Sequence, residues 1–206
     1  MTTTTPDEQL CDYHQTAQLS EFTLAITADI RRIVLTSAKF CTLDPIPTNL
    51  LKENIDIITS VLTDIINTSL ESDIVPATMK HTMVTPILKK RCLDVNCLAN
   101  YRPISNLSFL SKTLERYVAK ELLCYLDING YNGPFQSAYL PKHSTEIALV
   151  RIHEDLMQAV DSRGGVLLDV VLDLSAAFDT LDYSTLLRRL RAIRLSQTVL
   201  ACSCHI

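Results

Sequence analysis

The chain has 206 residues, 47% of them hydrophobic and 20% charged, with a net charge of -4, a composition of globular domains rather than of disordered or collagen-like chains. Its start, MTTTTPDEQL, lacks the basic flank and apolar run of a signal peptide, and no stretch approaches the length of a membrane span. The seven cysteines are odd in number and scattered, so the expectation is an intracellular protein of the reducing cytoplasm or nucleus, neither secreted nor membrane-bound, with reduced cysteines serving mostly as small core residues.

After a polar tail of about 18 residues, SEFTLAITADIRRIVLTSAKF places Phe22, Ile26, Ile30, Ile33 and Val34 at helical spacing and predicts a first amphipathic helix. DPIP breaks it. Pro47 is placed to open a second helix with Leu50, Leu51, Ile58, Val61, Leu62, Ile65 and Ile66 on a broad apolar face, ending near Leu70. HTMVTPILKK reads as a strand through Val84, Ile87 and Leu88, with Pro86 confining it to an edge or a bulge. A turn-rich loop leads to NYRPISN, where Ser105 or Asn106 is suited to cap a helix carrying Leu110, Leu114, Tyr117, Val118, Leu122 and Tyr125 and stopped by Gly130.

Ser144 is suited to cap the next helix, with Leu149, Ile152, Leu156 and Val160 at spacings of three and four. DSRGG turns the chain into VLLDVVLDL, a β-branched and aliphatic run that is the strongest strand signal in the sequence. A final helix carries Leu186, Leu187, Leu190 and Ile193. No internal repeat is visible.

Charge is unevenly spread. Between Met79 and Glu121 eight basic residues stand against three acidic ones, a basic middle in an acidic chain that fits either a phosphate-facing surface or a solvated helix face and loop. Cys202, Cys204 and His205 lie together and Cys92 and Cys97 flank a loop, but these spacings match no standard zinc finger. Asp173 closes the strongest strand. A carboxylate there is positioned either to hold a hard divalent cation or to cap the following turn. Phe178, five residues on, is either a core ring or an aromatic wall under a ligand.

Four segments, LDPIPTNLLKE with the IINTSLESDIVPATMKHTMVTPILKK that follows it, NYRPISNLSFLSKTLERYVAKELLCYL, FQSAYLPKHSTEIALV and LLDVVLDLSAAFDTLD, together resemble the reverse transcriptase of LINE-type, non-LTR retrotransposons, in the family's order and over about residues 28–190. The resemblance implies that Asp173 is the first catalytic carboxylate and, with the Leu174 carbonyl as a lesser ligand, holds magnesium for two-metal phosphoryl transfer. It implies that Phe178 is the steric gate beneath the incoming sugar and Asp179 a structural cap. It further implies that Lys89 or Lys90, with Arg102, grips the triphosphate, and that Gln136, Ser144 and Thr145 lie along the template. For Ser144 and its neighbours the plain alternative is a turn and a helix cap.

The sequence also departs from that family. A working polymerase needs a second motif with two adjacent aspartates, and no Asp-Asp pair occurs in the 206 residues. The template-grip motif, thumb and endonuclease domain of the family are not recognisable. Asp169 cannot substitute, because four residues along a strand separate it from Asp173 by roughly 13 Å, whereas paired ions sit within about 4 Å. Leu140 stands where the family usually has a basic residue, and AIRLSQTVLACSCHI reads as divergent.

The resulting expectation is an α/β (α+β) chain comprising the fingers and the start of the palm of a reverse transcriptase-like polymerase, with an incomplete palm sheet. Its parts are a disordered tail (1–18), a helical lead-in (19–80), fingers and first palm helices (81–165), the palm motif (166–190) and a divergent tail (191–206). RNA template and DNA primer are the family's partners and Mg2+ its cofactor. For this chain by itself the expectation is an inactive fragment with weak magnesium affinity or none and weak RNA binding, or else a domesticated nucleic-acid or protein-binding module.

Overall fold

In the computed structural model the residues described are 18–37, 44, 46–161, 172 and 181–200. They form a mixed structure of six α-helices and one antiparallel pair of strands. The chain divides into two compact units at Tyr125 and again at Leu187, and each is taken by itself.

The first unit begins with α1 (Thr27–Thr36), which buries Ile30 and Val34 completely. Ile26 is exposed, contrary to its place in the apolar period, because the chain is still extended there and the residue precedes the helix. The carbonyls at the end of α1 are met by the Lys52 ammonium, 3.1 Å from the Leu35 oxygen and 2.7 Å from that of Ser37. A cation at a helix C-terminus satisfies the orphan acceptors and the dipole together.

The expected second helix is two, α2 (Thr48–Glu53) and α3 (Ile55–Ser72), broken at Asn54, whose side-chain amide turns back to the Leu50 carbonyl at 2.9 Å. α3 packs on α1. Its buried stripe is Ile55, Thr59, Thr63, Ile66 and Leu70, while Val61 and Ile65 of the expected apolar face are exposed. Thr59 and Thr63 enter the core because each hydroxyl donates to the carbonyl four residues earlier, Ile55 and Thr59 respectively, which leaves no unpaired polar group. Asn67 joins this layer to the chain before α1: its carbonyl accepts from the Ala25 N–H at 2.7 Å and its amide donates to the Ala25 carbonyl at 3.0 Å.

β1 (Thr82–Leu88) and β2 (Tyr101–Leu107) pair antiparallel, Thr82 opposite Leu107 through Leu88 opposite Tyr101. NYRPISN is thus mostly strand, and Ser105 and Asn106 are not helix caps. The Lys89 N–H donates to the Asn100 carbonyl at 2.8 Å. Counting back from that bonded pair by alternation puts Pro86 and Pro103, which face each other, at a non-hydrogen-bonded position. Neither proline therefore removes a bond from the ladder.

α4 (Phe109–Ile128) starts two residues after β2. Its cap is Ser108, whose hydroxyl accepts from the Ser111 N–H at 3.2 Å, aided by Asp44, whose two oxygens lie 2.8 and 3.1 Å from the Phe109 nitrogen. Leu114, Tyr117, Val118 and Tyr125 are buried on one face, as the spacing predicts, and Leu110 and Leu122 are half-buried. The Tyr117 hydroxyl donates to the Thr23 carbonyl at 2.9 Å, and that of Tyr125 donates to the Ile193 carbonyl at 2.7 Å.

The stretch set apart in the sequence as divergent completes this unit. Leu195, Val199 and Leu200 are buried, the Ser196 N–H donates to the Leu19 carbonyl at 3.0 Å, and the Ser196 hydroxyl donates to the Ser20 carbonyl.

In the second unit α4 ends as expected, with Gly130 at φ 67° and the Tyr131 N–H on the Leu126 carbonyl at 2.9 Å. α5 (Thr145–Asp161) follows, and the Ser144 hydroxyl accepts from the Ile147 N–H at 3.2 Å. None of its residues is buried. α6 (Tyr183–Ala192), of which only the first turn up to Leu186 belongs to this unit, is capped by Asp182, whose carboxyl is held below its usual range by the hydroxyls of Thr185 and Ser184. VLLDVVLDL lies outside the described residues apart from Leu172.

Candidate functional site

The β1–β2 hairpin gathers the fingers residues singled out in the sequence. Between Thr82 and Leu107 stand Lys89, Lys90, Arg91 and Arg102 against one acidic residue, Asp94. Arg102 lies opposite Ile87 in the register and Lys89 opposite Asn100. Side chains two residues apart on a strand share a face, so Lys89 and Arg102 lie on one side of the hairpin. Lys90 opens the loop. All three are exposed.

Their engagements differ. The Lys89 ammonium donates to the Ala99 carbonyl at 2.8 Å and ties the loop to the strand. The side chains of Lys90 and Arg102 make no hydrogen bond or ion pair among the described residues, although the Lys90 carbonyl accepts from the Leu93 N–H at 3.2 Å. The loop is shaped by Asp94, whose carboxylate accepts from the Asn96 N–H at 2.9 Å and whose carbonyl accepts from the Asn100 amide at 2.9 Å, an Asx turn in which the acid is occupied locally. The Tyr101 hydroxyl donates to the Val95 carbonyl at 2.9 Å and closes the base. A two-stranded ladder thus carries an ammonium and a guanidinium with their donors free, a chemistry suited to phosphate oxygens: the guanidinium offers a planar fork, the ammonium a mobile point charge.

The template residues of the sequence reading belong to the other unit. Gln136 is exposed, its N–H on the Gly133 carbonyl at 3.0 Å and its side-chain amide 3.3 Å from the Ala138 carbonyl. Ser144 caps α5 and Thr145 opens it. Between them Tyr139 and Lys142 hold φ of 63° and 62°, a left-handed conformation unfavourable for residues with a Cβ. Nearby the Arg151 guanidinium lies 5.7 Å from the Phe135 ring centroid and donates to the Pro134 carbonyl at 3.3 Å.

Asp173, Leu174, Phe178, Asp169 and Asp179 lie outside the described residues. Among the described residues no group of three or more His, Cys, Asp or Glu side chains could hold a metal ion, and no helix is long and apolar enough to cross a membrane. Cys92, Cys97 and Cys124 are exposed thiols rather than core residues. A cleft of about 380 Å3 lined by Thr27, Ala28, Arg31, Asp56, Thr59 and Ser60 lies between α1 and α3 and takes in none of the hairpin cations.

The sequence reading passed over one basic cluster. Arg188, Arg189, Arg191 and Arg194 are all exposed. A charge count over a window of seven residues would have found them.

A family model described as "Reverse transcriptase (RNA-dependent DNA polymerase)" matches residues 87–205, more than half of the chain. The match begins inside β1 and runs through the stretch beyond residue 190. A Drosophila melanogaster protein described as "Probable RNA-directed DNA polymerase from transposon X-element" is 33% identical to this chain over 81 residues, 39% of this chain and 9% of that protein.

Proposed function

The chain belongs to the reverse transcriptase family, and from that premise we propose that it carries the triphosphate-gripping hairpin and the first metal-binding strand of a LINE-type retrotransposon polymerase. The observation that carries this reading is the pair of unpaired cations, Lys90 and Arg102, on the hairpin at the start of the matched region. In this role Arg102 takes two phosphate oxygens through its fork and Lys90 neutralises a third, while the Lys89–Ala99 contact fixes the loop.

The family uses a divalent metal and engages an RNA template and a DNA primer. In this chain Asp173 and the Leu174 carbonyl are the proposed donors, hard oxygens of the kind magnesium takes, and that ion would supply electrostatic stabilisation of phosphoryl transfer. With one carboxylate and one carbonyl the donor set suits at most one loosely held ion. Because no Asp-Asp pair occurs in the 206 residues, the chain by itself is proposed to bind nucleotide without extending a primer.

The basic balance between Met79 and Glu121, eight basic residues against three acidic, favours a second reading, a nucleic-acid- or protein-binding module derived from a reverse transcriptase.

Binding of a fluorescent deoxynucleoside triphosphate to the 206-residue chain tests the first reading. Lys90→Ala with Arg102→Ala should weaken it at least tenfold, whereas Gln136→Ala should leave it unchanged. Unaltered affinity in the double variant would refute the hairpin assignment. Primer extension by the wild-type chain, lost on Asp173→Ala, would refute the inactivity. Salt-dependent RNA binding with no triphosphate binding would support the module reading.

A further inference from the structure

α3 has two apolar faces, and the core of its unit uses one of them. A step of about 100° per residue gathers Ile55, Thr59, Thr63, Ile66 and Leu70 on the buried side. On the opposite side Ile57, Val61 and Ile65 follow one another at every fourth position, all exposed, Ile57 by 74%. Neither burial nor local preference accounts for them. Exposed helix positions are best served by alanine or straight-chain residues, and β-branched side chains give up rotamer freedom there. Together the three form a stripe at the spacing by which one helix offers anchors to another.

The border of that stripe supplies a second observation. Asp64 and Glu71 lie along one flank, about 20° and 40° round the helix from Ile57. Both are exposed, and their side chains make no hydrogen bond or ion pair among the described residues. Glu71 stands in the last turn of α3, which holds no basic residue, at an end where the helix dipole disfavours an anion. Asp56, further round the same flank, is already paired with Arg31 of α1. The cleft between α1 and α3 opens beside it. The stripe is thus edged by unneutralised negative charge, and α3 itself carries no Lys, Arg or His.

We propose that the outer stripe of α3 docks a basic amphipathic helix of a protein partner. The partner's apolar residues lie on Ile57, Val61 and Ile65, and its lysines or arginines meet Asp64 and Glu71. Charge complementarity decides the occupant. A second copy of the chain pairing α3 with α3 offers no cation in return, and an anionic lipid surface meets the carboxylates with like charge. α3 lies ahead of residue 87, where the family match begins, so this surface does not depend on the polymerase reading.

The experiment is fluorescence anisotropy of the full chain with a labelled helical peptide of about 18 residues, leucines at helical spacing on one face and lysines beside them. A twin peptide carries glutamates in place of the lysines. The lysine peptide should bind roughly tenfold tighter than its twin. Ile57→Ser with Val61→Ser should weaken it roughly tenfold, and circular dichroism should stay unchanged because serine has about the helix propensity of the residues it replaces. Asp64→Lys with Glu71→Lys should reverse the order of the two peptides. Equal binding of both peptides, no binding with the chain at about 0.5 mM, binding that survives the serine pair, or dimers of the chain that the serine pair dissolves in sedimentation would overturn the proposal. Triphosphate binding should be the same in both variants, so failure of this surface and failure of the hairpin assignment read out separately.

Discussion

Replacing Tyr117 by Phe should reverse the stability order of variant and wild type as pH rises. The Tyr117 ring is 1% exposed and its hydroxyl donates to the Thr23 carbonyl. Burial first, then the carboxylates of Glu121 and Asp29, push its phenol from 10.0 up to about 12. In the unfolded chain the phenol ionises near pH 10, so its contribution is complete below that pH and is lost as pH rises toward 12. Over that window the unfolded state has released a proton that the folded state keeps, and each pH unit removes about 1.4 kcal/mol. Removing the hydroxyl forfeits one hydrogen bond, about 1 kcal/mol. Near pH 8 the Phe variant should therefore be less stable by about 1 kcal/mol, and near pH 11 more stable by a few tenths. Paired urea titrations at pH steps from about 8 to 11 read the difference directly, since every other titrating group is common to both proteins. A stability gap that stays constant across that range would refute the account.

Asn67→Ala removes both bonds to Ala25 and strands the N–H and carbonyl of a residue that is 4% exposed; a loss of about 3 kcal/mol in urea unfolding is expected, and a loss below about 1 kcal/mol would show that water replaces the amide. Asp44→Ala frees the Phe109 N–H, with an expected loss of about 1 kcal/mol and faster hydrogen exchange confined to the first turn of α4. Asp44→Asn should restore part of both effects, and exchange quickened equally along α4 would mean that Asp44 acts elsewhere.

These residues also mark where the sequence could be read and where it could not. The face of α4 was legible because Leu114, Tyr117, Val118 and Tyr125 recur at helical spacing and Gly130 supplies the left-handed stop. Ser144 was legible as a cap for the same local reason. On α3 the hydrophobic period misled, since Thr59 and Thr63 are buried and Val61 and Ile65 are not; hydropathy treats as polar a hydroxyl that the helix itself satisfies. Ser105 and Asn106 have cap chemistry but sit in β2, because pairing with β1 outweighs local preference there. Asp44 and Asn67 act on backbone 65 and 42 residues away, a distance over which spacing carries no signal. For the site, the exposure of Lys90 and Arg102 follows from a loop and an alternating strand, whereas the left-handed setting of Tyr139 and Lys142 becomes visible only with the backbone in view.

The facing prolines of the hairpin bear on how the molecule behaves in company. Met83, Val84, Ile87 and Ile104 are all exposed on β1 and β2, and among the described residues no third strand covers either outer edge. Such a ribbon would ordinarily recruit extended segments from neighbouring molecules. At a non-hydrogen-bonded position the N–H points outward, toward any newcomer, and at Pro86 and Pro103 that donor does not exist. Each free border is therefore interrupted near its middle, and a strand arriving from either side meets a ring instead of a partner. The same two residues that leave the inner ladder whole remove one outward donor from each edge, which makes the hairpin a poorer template for an arriving strand.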